Sequence, residues 1–413
     1  MKNVVLSFQH VLAMFGATVL VPLITGIDPA TALLCAGLGT LAFHLITKQK
    51  VPAYLGSSFA FIPGILAVKE LFGLPYATGA MIAVGGVYVV MALIVSVIGI
   101  DRVKKLFPPI VTGPIIIVIG LILAPVAIQM ASEHWTVAII TMLAVAFTGI
   151  YARGFLKFLP ILFGIIIGYI SAVFFGLVDF TPVKEAAWFG LPTLMMPQFN
   201  FDALSIIVPI ALVTMIEHIG DIASLSGVTN KNYFNEPGLN RTLLGDGIAT
   251  ALAGALGGPA NTTYGENIGV LAITKNFNPR IIQGAALIAI AMSLIGKFGA
   301  LLSTIPTAVL GGVSFILFGM IASVGIKTLV DSKPDLTNMR NSVVVFVILI
   351  IGIASIAGEK NNPAVIQLTE YASLSGLSLA ALVGIILNAA LEIFQPQWAS
   401  RAVAKLSMKK QLK

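Results

Sequence analysis

Apolar runs of about 17 to 25 residues, the length that crosses a bilayer as a helix, follow one another along the chain with only short connections between them. A soluble globule of 413 residues cannot absorb so many. With 58% hydrophobic and 10% charged residues and a mean hydropathy of +1.00, too little polar surface exists to cover one. Membrane strands would show short alternating segments instead, and the runs do not alternate. The pattern predicts an all-α integral membrane protein. Its spans fall near residues 4–24, 30–47, 54–68, 76–99, 109–130, 135–152, 156–178, 203–226, 242–258, 262–275, 281–303, 307–326, 341–358 and 374–395, fourteen transmembrane segments of which the third and tenth are short.

Charge placement supports an even count. Twenty of the 24 lysines and arginines fall in alternate connections on one side, against Lys69, Lys184 and Lys360 on the other, with Lys297 inside a span. Cytoplasmic loops accumulate Lys and Arg, so both termini are expected in the cytoplasm and the chain in the cell (inner, cytoplasmic) membrane. The net charge of +7 has the same origin, with anionic lipid headgroups as its counterpart, and calls for no nucleic acid. Cys35, the sole cysteine, excludes a disulfide framework and any CxxC metal or redox motif. Trp135, Trp188 and Trp398 read as interface anchors. The first span is too long to be a cleaved signal peptide.

The connection at residues 179–202 is the longest non-basic one, and it divides the spans seven and seven. An odd number per half makes the second half enter from the opposite side, which predicts two inverted repeats, residues 1–190 (spans 1–7) and 191–413 (spans 8–14). In carriers built this way the binding site lies near the midplane, where interrupted helices meet. Spans 3 and 10 are the expected pair. Pro52 to Gly64 is bracketed by prolines and holds Ser57 and Ser58 mid-run, and Gly257-Gly258-Pro259 leads into Gly265-Glu266-Asn267-Ile268-Gly269 at the matching position of the other half. Interrupted helices turn backbone N–H groups toward a cavity, so Phe59 and Gly265 are expected to present main-chain donors.

Side chains would supply the acceptors. Glu217 and Asp221 lie four apart on span 8, on one helix face, where they can share a proton or a hydrogen-bond chain. Glu266 opens the span-10 segment. Carboxylates at membrane depth cost several kcal/mol, roughly 2.5 to 3.5 on insertion scales, and are kept mainly where they face a cavity and do chemistry. The competing reading pairs these acids with Lys297 or Arg241, though Lys297 is better placed to snorkel to an interface. Asn267 is expected to orient Glu266 and to tie loose backbone groups. Asp246 reads as a helix cap or ion-pair partner, and His218 as an interhelical bond on the face away from Glu217 and Asp221. No two histidines are spaced for a metal, and no nucleophile–base pair is visible, so neither an enzyme nor a cofactor is expected.

Glu266-Asn267-Ile268-Gly269-Val270-Leu271-Ala272-Ile273-Thr274-Lys275 resembles the signature of the nucleobase-ascorbate transporter family: Gln, Glu or Pro, then Asn-x-Gly, four residues, Thr and a basic residue or Gly. Ser7-Phe8-Gln9-His10, Ala53 to Phe61, Glu217-His218-Ile219-Gly220, Asn261 to Gly269 and Pro306 to Gly312 extend the likeness over nearly the whole chain. The resemblance implies a core domain of spans 1–4 and 8–11, a gate domain of spans 5–7 and 12–14, and a homodimer. It implies that Glu217 and Glu266 accept from ring N–H groups, that the backbone at Phe59 and Gly265 donates to carbonyls, that Tyr264 and Phe59 line the pocket, and that Ser58, His10 and Asn267 support it from behind.

Uracil alternates donors and acceptors around its rim, and acceptor-only carboxylates suit its N–H groups. Purine-selecting relatives usually carry Gln where Glu266 stands, so the resemblance favours a pyrimidine. The expected function is uracil import coupled to a proton through Glu217 and Asp221, with sodium as a second candidate ion. Some uracil carriers of this type have histidine where this chain has Asp221. The alternatives are a xanthine, uric acid or other purine symporter and, from another class, an anion channel or exchanger of the same architecture, against which the acids argue.

Overall fold

The computed structural model describes residues 2–354, 356, 365–368 and 373–393. Lys360, Trp398 and the basic residues from Arg401 onward lie outside the described residues. In chain order the elements are α1 (Lys2–Thr25), α2 (Pro29–Ile46), β1 (Leu55–Ser57), α3 (Ile62–Leu71), α4 (Leu74–Ile98), α5 (Ile100–Leu106), α6 (Pro109–Ile122), α7 (Ala124–Ser132), α8 (Trp135–Tyr151), α9 (Pro160–Phe174) and α10 (Thr181–Glu185). They continue as α11 (Phe201–Ile207), α12 (Ala211–Thr229), α13 (Leu239–Ala255), β2 (Asn261–Thr263), α14 (Gly265–Thr274), α15 (Pro279–Ser293), α16 (Gly296–Ser303), α17 (Thr307–Ser332), α18 (Met339–Ala354), β3 (Val365–Gln367), β4 (Ser373–Ser375) and α19 (Gly376–Ile393).

The chain is mostly helical, with two short antiparallel strand pairs, β1–β2 and β3–β4, that an all-helical expectation leaves out. Among the described residues, six helical stretches are long and apolar enough to cross a membrane, or seven if α15 and α16 form one broken span. Those two helices meet at 82°, where a single continuous span was expected over residues 281–303. Shorter apolar helices, α8, α9, α18 and α19, occupy the positions of four other expected spans.

Two helix groups form. In one, α4 packs along α13, α13 and α15 along α2, and α1 along α15; in the other, α17 gathers α6, α7 and α8 while α18 packs on α19. Glycine makes the α4–α13 contact possible. A β-carbon at Gly85 would collide with the Gly247 carbonyl and Ala251, and one at Gly247 with Tyr88, so the two backbones touch where only hydrogen fits.

Basic residues mark the two ends of α2 differently. At its C-terminal end Arg241 donates to the Ile46 carbonyl and Lys50 pairs with Glu236, holding that exposed carboxyl below its usual range. At its N-terminal end Asp28 caps the helix, accepting from Ala30 N at 3.1 Å, and Lys69 donates to the Thr25 carbonyl at 2.9 Å. A strap at residues 188–198 crosses that same end. Gly190 N, Thr193 N, Met195 N and Gln198 N donate to Leu294 O, Asp28 Oδ2, Leu256 O and Pro75 O.

Replacing Gly85 with valine should therefore destabilise the fold by about 1–3 kcal/mol through overpacking. The check is thermal unfolding of the detergent-purified protein, with Gly86→Val, whose β-carbon would meet open space, expected to be far milder.

Candidate substrate site

β1 and β2 pair antiparallel in the middle of the first helix group, in the register Leu55↔Thr263, Gly56↔Thr262 and Ser57↔Asn261. Two flanking bonds extend the ladder, Ser58 N to Ala260 O at 2.9 Å and Tyr264 N to Tyr54 O at 3.0 Å. Extended backbone inside a bilayer is tolerated only if its polar groups find partners within the protein. Here helix side chains supply some, and strand side chains bond helix carbonyls in return. Thr40 Oγ1 accepts from Leu55 N at 2.9 Å, Ser57 Oγ donates to the Thr18 carbonyl, Thr250 Oγ1 donates to the Asn261 carbonyl, Asn261 Nδ2 donates to the Cys35 carbonyl, and His44 Nε2 lies 2.9 Å from the Ala53 carbonyl.

Each strand runs directly into a helix start. Phe59–Phe61 form a single 3-10 turn that leads into α3, and α14 begins at Gly265. Neither start has a side-chain cap: Ser58 and Tyr264, the residues before the first turns, make no capping bond. Helix starts without caps leave N–H groups free to donate, at the positive end of the helix dipole. Gly265 is exposed and Phe59 and Glu266 half-buried, whereas Ser57, Ser58, Asn261, Thr262, Thr263, Tyr264 and Asn267 are buried. The open positions on the two segments are thus Phe59, Gly265 and Glu266.

From α12, Glu217 and Asp221 face the same region, both half-buried. Glu217 is within electrostatic reach of Asp246 and Glu266, and Asp221 within reach of all three. Asp221 Oδ2 accepts from Thr263 Oγ1 at 2.9 Å, which ties α12 to β2. Among the described residues, no lysine or arginine pairs with these acids. Lys297 donates to the Val183 carbonyl at 2.8 Å and lies 5.5 Å from the Trp188 ring, and Arg241 sits at the end of α2, so the ion-pair alternative fails for both.

The supporting residues are also in place. Asn267 Nδ2 lies 3.1 Å from both His10 Nδ1 and the His10 carbonyl, so Asn267 ties α14 to α1. Tyr264 does something its aromatic character did not suggest: its hydroxyl donates to the Ser57 carbonyl at 2.8 Å and its ring covers Gly56, where any β-carbon would strike it. Ser58 Oγ is buried with no partner.

One group escaped the sequence reading, and another takes a different partner from the one at hand in sequence. Phe318 on α17 meets Phe59 edge-on, with ring centroids 6.4 Å apart, and so brings the second helix group to the site. Its signal in sequence is one phenylalanine among 24. Asp246 is no cap: it lies inside α13, fully buried, 3.4 Å from His218 Nδ1, so the ion-pair half of its reading holds with a histidine as partner. A separate cavity of about 270 Å³, lined by Phe15, Leu162, Ile165, Tyr169, Phe298 and Leu302, is apolar and contains none of the acids.

This fold is that of multi-pass membrane transporters. The transmembrane domain of the cyanobacterium bicarbonate transporter BicA matches it with a TM-score of 0.62 at 16% identity, over 94% of this chain and 96% of that one. The murine Solute Carrier 26 family member A9 anion transporter, in the inward-facing state, matches with a TM-score of 0.67 at 10% identity, over 96% of this chain and 68% of that one. Sequence relationship is much closer elsewhere. The chain is 47% identical over 400 residues to the uracil permease of Bacillus caldolyticus, covering 93% of this chain and 91% of that one. It is 43% identical over 399 residues to the uracil permease of Escherichia coli K12, covering 94% and 91%. Residues 1–361 match the family described as Permease family, and the chain belongs to it, among the nucleobase-ascorbate transporters: permeases, not enzymes.

Tyr264→Phe removes a donor from the buried Ser57 carbonyl and should cost about 1–3 kcal/mol of stability. Thermal unfolding of the purified variant checks it, and an unchanged midpoint would show that the clasp is dispensable.

Proposed function

We propose that this permease imports uracil together with a proton. The observation that carries the reading is the convergence of Glu217, Glu266 and the uncapped helix starts at Phe59 and Gly265 on one region. Uracil offers two ring N–H donors and two carbonyl acceptors. Glu217 and Glu266 accept from the N–H groups, and the backbone N–H groups at Phe59 and Gly265 donate to the carbonyls. Phe59 covers one face of the base, and Tyr264 holds the strand behind it. The reading is supported by relatives named uracil permease at 43–47% identity over more than nine-tenths of this chain.

Proton coupling follows from charge. Acids gathered in a bilayer, with no lysine or arginine beside them among the described residues, repel one another, and a proton relieves the repulsion when the base enters. Asp221, one helical turn from Glu217, shares that proton. Sodium is the alternative ion.

The same reading takes fourteen spans in two inverted repeats, with segments 54–71 and 261–274 as the interrupted spans. The helix group around α2, α4, α13 and α15 moves as a core against a gate of α6–α9 and α17–α19, and Phe59 against Phe318 is one contact between them. Both termini are cytoplasmic, in the cell membrane, and two copies form a homodimer. A purine substrate is the second reading within the family, and Glu266 speaks against it. An anion substrate would meet Glu217 and Glu266 unpaired.

Purified protein in liposomes should accumulate uracil only under an inward-directed proton gradient; accumulation that ignores the gradient, or follows sodium instead, overturns the coupling. Losing a charged acceptor is worth about 1.5–3 kcal/mol, so Glu266→Gln and Glu217→Gln should each weaken uracil binding roughly 10- to 100-fold. Equilibrium binding of labelled uracil, with xanthine as competitor, measures this. Wild-type affinity in both variants would sink the site.

A further inference from the structure

We propose that His218 and Asp246 are positioning residues for the transport reaction, a buried pair that sets the orientation and proton affinity of Asp221 through the hydroxyl of Thr263. This rests on the reading of the site as a proton-coupled uracil site.

The geometry is a chain of polar contacts across three elements. Asp246 on α13 and His218 on α12 are both fully buried, with Oδ2 and Nδ1 3.4 Å apart. His218 Nδ1 also lies 3.5 Å from Thr263 Oγ1 on β2, and Thr263 Oγ1 donates to Asp221 Oδ2 at 2.9 Å. A threonine hydroxyl has one hydrogen, so once it is given to Asp221 the oxygen can only accept from His218. Nδ1 therefore faces two acceptors, Thr263 Oγ1 and Asp246 Oδ2, and must carry hydrogen. The carboxylate of Asp246 fixes the imidazole tautomer, the imidazole polarises the hydroxyl, and the hydroxyl donates to the acid at the site.

Burial makes this chain consequential. Neither oxygen of Asp246 has a hydrogen-bond partner at ordinary geometry, and His218 Nε2 has none either. An ionised carboxylate left alone there would cost several kcal/mol, and the His218 imidazole is the polar group that the fold sets beside Asp246. The other polar groups that face the pair are Tyr88 from α4, whose hydroxyl donates to Thr214 at 2.8 Å, Glu217 and Asp221 from α12, and Glu266 from α14. From α2 comes the ring of Phe43, edge-on to His218, while neighbouring His44 is engaged with the Ala53 carbonyl. No lysine or arginine among the described residues reaches the cluster, so His218 is its one basic group. Polarisation along such a chain strengthens each bond in a medium of low dielectric constant.

The test is proton-driven uracil uptake by proteoliposomes across about pH 5 to 8, the range in which histidine and perturbed acids titrate. Binding of labelled uracil to purified protein runs in parallel. Thr263→Val cuts the chain at nearly constant volume without touching the buried pair. It should displace the midpoint of the pH profile by about half a unit or more and lower the maximal rate, with uracil affinity within about twofold of wild type. Thr263→Ser should restore the wild-type profile. The double variant His218→Gln with Asp246→Asn, which leaves no buried charge unpaired, should fold and show the same displaced profile as Thr263→Val. A wild-type profile in either, or a Thr263→Val defect that Thr263→Ser fails to reverse, overturns the proposal. Wild-type protein that binds no uracil would instead sink the substrate assignment, and the same pH series with the nucleobase it does bind then decides the role of His218.

Discussion

Two extended segments, residues 54–58 and 260–264, meet as an antiparallel pair inside a bundle of apolar helices. No water is available there to satisfy a backbone N–H or carbonyl, so each polar group must be met by another part of the chain. The ladder meets some of them. Thr40, His44 and Thr250, from α2 and α13, meet others, the Ser57 and Asn261 side chains tie the strands to the Thr18 and Cys35 carbonyls, and Tyr264 returns to Ser57. These otherwise scattered small polar residues are what permits the strand crossing, and the crossing in turn places the starts of the 3-10 turn at Phe59 and of α14 in the interior.

Charge is the second constraint. Among the described residues, the acids on α12, α13 and α14 are gathered without lysine or arginine, and the one base among them is His218. Thr263 connects the two halves of this arrangement, since it belongs to the strand ladder and also donates to Asp221. Strand register and acid orientation are therefore not independent: a one-residue slip of β2 would turn Thr263 away from α12.

The helical, membrane-embedded class is legible from run length and composition, because hydrophobic length against bilayer thickness is a property of sequence alone. The acids Glu217, Asp221 and Glu266 stand out for the same reason: in so apolar a chain a carboxylate is conspicuous. Gly and Pro punctuation marks the segments that hold Gly265 and Phe59. Other features left no such mark. Segments 54–57 and 261–263 carry no long alternation, so three-residue strands that pair across some 200 positions cannot be seen locally. The bend between α15 and α16 lies in an apolar run marked there only by Ser293, Gly296 and Lys297, and the contact of Phe59 with Phe318 joins two residues whose neighbours give no hint of each other.

Asp246 shows the division most plainly. Its neighbour in sequence, Arg241, suggested a partner at hand, yet Arg241 reaches the end of α2 while Asp246 turns into the bundle toward His218. The sequence by itself determined that the chain lies in a membrane, which segments are helical and which acids are out of place there, because these follow from the cost of exposing polar groups to hydrocarbon. Tertiary structure alone decided which acid meets which partner, since helices five residues or two hundred apart are brought together by backbone approach at Gly85 and Gly247 and by the strand ladder, neither of which is a local property.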